Sequence, residues 1–377
     1  MNIFDLALTL TPRLGCHAIK HLIEIFGSAE AIFGCTVEEL VLRAELKESM
    51  AESILGGEPL RLAEAEVKHY RGKGVKMIAS TDDDYPPLLR EIHDPPHVLF
   101  IMGDRTTLTQ RSVSIVGTRS HSAYGERACK SIVDGLAESV GEVVIVSGLA
   151  HGIDGVAHRC AIGARLPTVA VLPTPLPTIR PSQHRGLAEE ILECGGALIS
   201  EMPSTTTFAK YHYIMRNRII AALSSATVVI ESGSNGGSLH TARIARGYDR
   251  SVLAIPGHID DSSFRGCNNL ISQQVASICL SAHSIAYELG WELQTAVNDT
   301  VACSLPKGVT LDMLSKEHLS IIRSFVDDEP IHITTIEQRC NLPISKISGL
   351  LVELELLELV SPPKASFYKR LIPLELI

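Results

Sequence analysis

The chain has 377 residues, 45% of them apolar and 20% charged, with a formal net charge of −9; this excludes a disordered chain and a highly charged coiled coil and leaves room for two or three domains of ~150 residues. Mean hydropathy is +0.17, yet no apolar run approaches the ~18 residues of a membrane span, and Met1-Asn2-Ile3-Phe4-Asp5 lacks the basic start of a signal peptide. The nine cysteines hold no Cys-x-x-Cys pair, so a zinc ribbon and a redox motif are not expected, and a reduced, cytoplasmic, non-membrane protein is.

Residues 1–60 read as short helices. An amphipathic stretch at 18–26 is introduced by Thr11-Pro12-Arg13-Leu14-Gly15 and closed by Gly27, and another helix starts at 37–41 with acids in its first turn. This pattern is similar to helix-hairpin-helix or SAM-like modules. A further helix at 60–70 precedes an apolar strand around Met77-Ile78-Ala79. The turn-rich 82–89 segment then leads into Val98-Leu99-Phe100-Ile101-Met102-Gly103.

From Val113 the pattern becomes regular alternation. Apolar runs at 113–116, 143–146, 168–172, 197–199, 227–230 and 252–255 are separated by segments of helical period. Uniformly apolar strands alternating with helices predict a doubly wound, Rossmann-like α/β domain with a parallel sheet covered on both faces. Its ligands belong at the carboxyl ends of the strands. Residues 105–290 carry a net +2 against −7 for residues 1–104, and 14 of their 16 basic residues are Arg, the side chain whose planar fork matches phosphate oxygens. Ordinary ion-paired surface would use many of them.

Residues 291–307 read as a polar joint. Beyond it, helices at 316–326, 333–340 and 345–357, with Leu359-Val360 pairing Phe367-Tyr368, predict a small winged helix. Its third helix carries Glu353 and Glu355 and no Lys or Arg over 347–357, which favours protein docking over reading a DNA groove. The expected domains are 1–75, 76–292 and 305–377.

The strand ends carry the chemistry. Gly117-Thr118-Arg119 precedes a helix near Ala123, so a tight turn, outward amides, the helix dipole and a guanidinium form a phosphate cradle; a plain turn with a solvated Arg is the alternative. Gly-x-Gly-x-x-Gly and Gly-Lys-Ser/Thr are absent, and Ser147-Gly148 stand where a ribose-binding acid would end the second strand. NAD binding and ATP hydrolysis are therefore disfavoured and no cofactor is expected. His151, Asp154 and His158 have a metal-like spacing but lack a completing ligand; Asp154 is expected to cap its helix and His158 to pack beneath the loop. No metal and no catalytic residue is assigned.

Arg216-Asn217-Arg218 bracket an Asn at a helix start, with one Arg expected outward to a ligand and one into the fold. Phe208, Lys210, Tyr211, His212 and Tyr213 just before them form a cationic, aromatic cluster suited to phosphates and stacked bases, or one that simply covers a neighbour. Gly233-Ser234-Asn235-Gly236-Gly237-Ser238 opens a helix and makes a second anion nest.

These stretches resemble the DprA/Smf family of DNA-processing proteins. The match runs through Ser114-Ile115-Val116-Gly117-Thr118-Arg119, Ser147-Gly148-Leu149-Ala150, Gly152-Ile153-Asp154, Arg216-Asn217-Arg218-Ile219-Ile220, Gly237-Ser238-Leu239 and Pro256-Gly257, and covers about residues 80–285. The resemblance implies a cytoplasmic homodimer that binds single-stranded DNA and loads the RecA recombinase on it during natural transformation. It places Gly117, Arg119, Lys210, Arg216 and Arg218 in the DNA-contacting pocket or its supports. His151 stands where the family usually has Arg, Arg180-Pro181 replaces Tyr-Pro, and Ile214 replaces a Pro.

The leading reading is a non-enzymatic single-strand binder using Gly117, Thr118, Arg119, Ser147, Gly148, Lys210, Arg216, Asn217, Arg218, Gly236, Gly237 and Ser238. The alternative is a nucleotide-processing enzyme similar to the LOG-type phosphoribohydrolases. In their Gly-Gly-x-Gly-Thr-x-x-Glu loop, aligned from Gly236-Gly237, the Glu position is Arg243 here. A winged-helix transcription factor is a third reading, weakened by the acidic last helix.

Overall fold

Runs of three to five residues are too short for helices, and here each becomes a strand. In a computed structural model residues 1–293, 314–325, 330–357, 359–361 and 366–370 are described. Two compact units divide the chain, Met1–Thr295 and Ala296–Ile377.

Among the described residues of the first unit the strands are β1 (Val75–Ala79), β2 (Val98–Gly103), β3 (Ser112–Val116), β4 (Val144–Ser147), β5 (Thr168–Val171), β6 (Ala197–Ser200), β7 (Ala226–Val229), β8 (Ser251–Ala254) and β9 (Ser277–Ile278). They form one sheet in the order β1-β2-β6-β5-β4-β3-β7-β8-β9. Pairing is parallel from β6 through to β9, with Val113 to Val116 of β3 in register with Ala226 to Val229 of β7. The large parallel sheet expected from the alternation is present. It is extended on one side by β2, which runs antiparallel to β6, and then by β1, which runs antiparallel to β2.

Both faces are covered. Val169, Val171, Ala197 and Ile199 point into one apolar cluster, while Ala170, Leu172 and Leu198 point into another with Phe100. The alternation follows from the two-residue period of a strand. The second cluster is closed by Leu6 and Ala7 of the Ile3–Leu10 helix and by Ala63 and Tyr70 of the Glu58–Tyr70 helix. The intervening short helices pack around Leu22, Ile32, Leu40 and Ile54. Their starts follow from the sequence: Ser28 caps Ala29–Phe33, and Thr36 with Glu39 makes a capping box on Val37–Ala44.

The strand order places the site. Successive strands β3 to β6 are laid outward on one side, and the chain then returns as β7 on the other side of β3. The order reverses between β3 and β7, so the loops leaving these two strands part and open a crevice at their carboxyl ends.

In the second unit the helices Lys316–Arg323, Ile333–Cys340 and Ile344–Leu356 enclose Ile321, Ile322, Phe325, Ile336, Ile347, Leu351 and Leu354. Phe367–Tyr368 (β11) pairs antiparallel with Ile331–His332 (β10), whereas Val360 bridges to Arg370. The pairing expected for Leu359-Val360 with Phe367-Tyr368 is thus shifted. Leu359 and Val360 are buried among the helices, leaving β10 as the partner of β11. Residues 362–365 lie outside the described residues.

Candidate nucleic-acid interface

A cavity of about 300 Å³ fills the crevice, lined by segments that follow β3, β4 and β7 and by one helix face. That helix, His212–Leu223, contributes Tyr213, Arg216, Asn217 and Ile220, whose i, i+3, i+4, i+7 spacing puts them on one side.

After β3, Gly117, Thr118 and Arg119 form the wall. A Cβ on Gly117 would lie 2.6 Å from Ile153, so only glycine lets this turn pack on the neighbouring helix. The turn is fastened by Glu231, beyond β7. Thr118 N donates to the Glu231 carbonyl at 2.8 Å, and the Glu231 carboxylate accepts from Ser122 N at 2.9 Å and Ser122 Oγ at 2.8 Å. Ser122 in turn caps the Ala123–Ser139 helix through Gly125 N. Arg119 is exposed on this anchored loop, its guanidinium 5.2 Å over the Tyr213 ring, a cation–π distance.

After β4, Ser147 is buried and its hydroxyl donates to the Ile115 carbonyl at 2.6 Å. Gly148 gives Arg216 its place: the Gly148 carbonyl and that of Val171 both accept from Arg216 Nη1. A Cβ at Gly148 would sit 2.2 Å from that nitrogen. Neither Ser147 nor Gly148 lines the cavity; both support what does.

Arg216 is only 3% exposed and its Nε has no hydrogen-bond partner among the described residues. Burial pushes its pKa down, opposed by the facing Asp154 carboxylate. Asp154 lines the cavity from the first turn of the Ile153–Gly163 helix and accepts from Ala150 N at 3.4 Å. Burial pushes its carboxyl up, opposed by Arg216. One inward carboxylate therefore faces Arg216, with exposed Arg119 beside them, a local excess of positive charge.

After β7, Gly236, Gly237 and Ser238 open the Gly237–Gly247 helix onto the same cavity, joined by Thr241. Its first-turn amides have no intrahelical acceptors, and its dipole presents positive potential. Ser238 Oγ donates to Ser232 Oγ at 2.9 Å, and a Cβ on Gly236 would lie 2.1 Å from the Ser232 hydroxyl and displace it.

Eight of the sequence-derived residues therefore meet: Gly117, Thr118, Arg119, Arg216, Asn217, Gly236, Gly237 and Ser238. Lys210 lies exposed in the turn before the helix, outside the cavity lining. Arg218 points away from it. Arg218 pairs with Glu201, lies 3.6 Å from Asp94 and donates to the Asp94 carbonyl at 2.8 Å. Burial works against its charge, but Glu201 and then Cys16 and Asp94 carry its pKa up.

Asp154 and Tyr213 also line the cavity: Asp154, expected to cap its helix, makes no cap hydrogen bond, Gly152 being the N-cap, and Tyr213 comes from the expected aromatic cluster. The signals were present: Asp154 follows the Gly148–Gly152 loop, and Tyr213 sits three residues before Arg216 on a helix. His151 stands exposed beside the crevice loop with its ring 4.9 Å from that of His184. His158 is fully buried; its Nδ1 lies 2.7 Å from Thr168 Oγ1. Thr168 uses its own hydrogen on the Ile145 carbonyl, so Nδ1 carries the imidazole proton and donates to Thr168.

The sequence pattern of DNA recombination-mediator protein A matches residues 76–290. The chain is 35% identical over 286 residues to Protein Smf of Escherichia coli, spanning 74% of this chain and 73% of that protein. The X-ray structure of DNA processing protein A (DprA) from Streptococcus pneumoniae superposes with a TM-score of 0.66 at 28% identity, covering 76% of this chain and 98% of that one. A DNA processing protein A structure from Helicobacter pylori, described for its single-stranded DNA binding mode, gives a TM-score of 0.51 at 26% identity over 57% of this chain and 95% of that one. No helix among the described residues is long and apolar enough to cross a membrane. With the extent of the profile match and the coverage of the Escherichia coli relative, the chain belongs to the DNA recombination-mediator protein A family.

Proposed function

We propose that the chain binds single-stranded DNA in the β3/β7 crevice and acts as a recombination mediator in DNA processing during transformation, not as an enzyme. The carrying observation is that Arg119, Arg216, Asn217 and the glycine-lined turns at 117 and 236–237 face one cavity. Guanidinium groups and helix-start amides suit backbone phosphates, and the Tyr213 ring offers a face to a base. The Helicobacter pylori relative's single-stranded DNA binding mode supports the same ligand. Lys210 and Arg119 form the exposed rim in this reading, Arg216 and Asn217 the floor, Ser147 and Gly148 their supports, and Arg218 a fold-stabilising group outside the crevice.

The functional modules are a SAM-like helical region at 1–75, the extended Rossmann-like domain at 76–292 and a winged helix at 305–377. The winged helix is a protein-docking element. Its third helix holds one Lys, Lys346, which is ion-paired to Glu317, while Glu353 lies 3.1 Å from His318. The working form is a cytoplasmic homodimer that delivers the strand to RecA.

A titration with single- and double-stranded oligonucleotides at matched salt tests the reading, beside an assay for base release from nucleoside monophosphates. Tighter single-strand binding without base release is expected. Equal affinity for both forms, or base release, overturns it. The phosphoribohydrolase alternative gains nothing from the site, where Arg243 is exposed and outside the cavity lining.

A further inference from the structure

A row of ring and guanidinium contacts continues outward from the crevice. Arg119 lies over Tyr213; Tyr213 meets Phe208 edge-on at 5.6 Å; Arg180 lies over Phe208 at 4.6 Å. Tyr213 lines the cavity, whereas Phe208 and Arg180 lie beyond its lining. Arg180 is exposed, and Phe208 is half-buried. Arg61, Arg105, Arg218 and Arg250 are each held in ion pairs with described carboxylates. Arg180 is not one of them. Its cation is stacked and has no carboxylate counterpart among the described residues.

A guanidinium resting on an aromatic face keeps its N–H groups free around the rim. The ring also restrains a long side chain before any ligand arrives, so less freedom is lost on binding. A stacked, unpaired arginine at the end of a continuous aromatic path from an anion site is thus built to take a second anion of the same ligand. We infer that Phe208 and Arg180 form an outer subsite for a further phosphodiester of the bound single strand. Arg180 donates to the phosphate oxygens, and Phe208 acts as a positioning residue that holds the guanidinium in place. This rests on the single-strand reading above, and its test separates the two.

The experiment uses the full chain and two oligothymidylates, a short one of about 4 nucleotides and a long one of about 20, bracketing the site sizes common for single-strand grooves. Affinities are measured over a salt series for the parent protein and for Arg119→Ala, Arg180→Ala, Arg180→Lys and Phe208→Leu. Arg180→Ala is expected to weaken the long strand about five-fold and the short one less than two-fold, lowering the long strand's salt slope by ~0.7. Arg180→Lys should restore the slope but only part of the affinity. Phe208→Leu should lose affinity while keeping the slope, because the charge remains. Thermal midpoints establish that each variant is folded. If Arg180→Ala shifts only the midpoint, or shifts both lengths equally, Arg180 is a cover for Phe208 and the subsite is overturned while Arg119 still reports on the crevice. If the parent binds neither strand, the single-strand reading falls and the subsite falls with it.

Discussion

Arg216 and Arg218 stand two residues apart on one helix, are both nearly buried, and do opposite work. Arg218 belongs to a closed knot: Glu201 and Asp94 face it, and Tyr248 Oη donates to Asp94 at 2.5 Å. Its charge is answered inside the protein. Arg216 is held by two backbone carbonyls, and its facing carboxylate, Asp154, forms no ion pair with it within 4.0 Å. Its Nε has no partner among the described residues and its side opens onto a cavity. Burial alone does not distinguish a structural arginine from a binding one. What distinguishes them is whether neighbouring carboxylates complete the charge, because a buried cation without a close anion favours an incoming one.

The sharpest way to break this contrast is to remove each partner in turn. Arg218→Ala leaves Glu201 buried without its cation and should cost about 3–5 kcal/mol of stability, read by denaturant unfolding. The folded fraction should keep its single-strand affinity. A stability close to the parent's would show the knot to be dispensable.

Acid should next erode the floor beneath the crevice. His158 is held neutral by burial, its pKa pushed down to about 3, against ~6.5 when unfolded. Between these values the unfolded chain binds more protons. Stability therefore falls as pH drops below about 6.5, by up to ~1.4 kcal/mol per pH unit and about 2 kcal/mol by pH 5. Among the described residues Nε2 has no acceptor for the N–H that protonation would create. A His158→Gln variant should show a flatter stability profile across that window; an identical profile would locate the acid sensitivity elsewhere.

Gly148→Ala addresses the other side of the comparison. The new methyl group would lie 2.2 Å from Arg216 Nη1, displacing the guanidinium. A loss of at least ten-fold in single-strand affinity, about 1.4 kcal/mol, is expected together with a lowered thermal midpoint. Retained affinity would mean that Arg216 is as purely structural as Arg218.

Arg119→Ala is the gentlest. Its side chain is exposed, so stability should change by no more than ~0.5 kcal/mol. Single-strand binding should weaken alike for all sequences, and the salt slope should flatten by ~0.7. Arg119→Lys should recover part of the binding, since an ammonium keeps the charge but not the fork. An unchanged slope with a lowered midpoint would retire Arg119 as a phosphate contact.

Much of the sheet was legible before folding. The apolar runs at 113–116, 168–172 and 252–255 became β3, β5 and β8 within a residue of either end, because a strand buried on both faces is largely apolar, and the buried Ser114 and Thr168 hydroxyls donate to the Ile220 and Ile145 carbonyls. The turn after β3 was legible for a similar reason: Gly117 sits where a Cβ would meet Ile153. The antiparallel addition of β1 and β2 was not, since direction depends on connections made through distant helices. Nor could spacing place Lys210 outside the lining, or show that both Arg216 and Arg218 are buried. Phe208 and Arg180 are 28 positions apart, and nothing local joins them.

Periodicity and turn chemistry, which act over a few residues, by themselves determined the alternating strands and helices, the caps at Ser28, Thr36 and Ser122, and the glycine-lined turns. Which turns meet, which arginine finds carboxylates and which faces a cavity were decided by the reversal of strand order between β3 and β7. That reversal brings together residues more than a hundred positions apart, such as Ser122 and Glu231. Charge pairing at that range is set by the packed sheet and its loops, so only the tertiary structure could assign it.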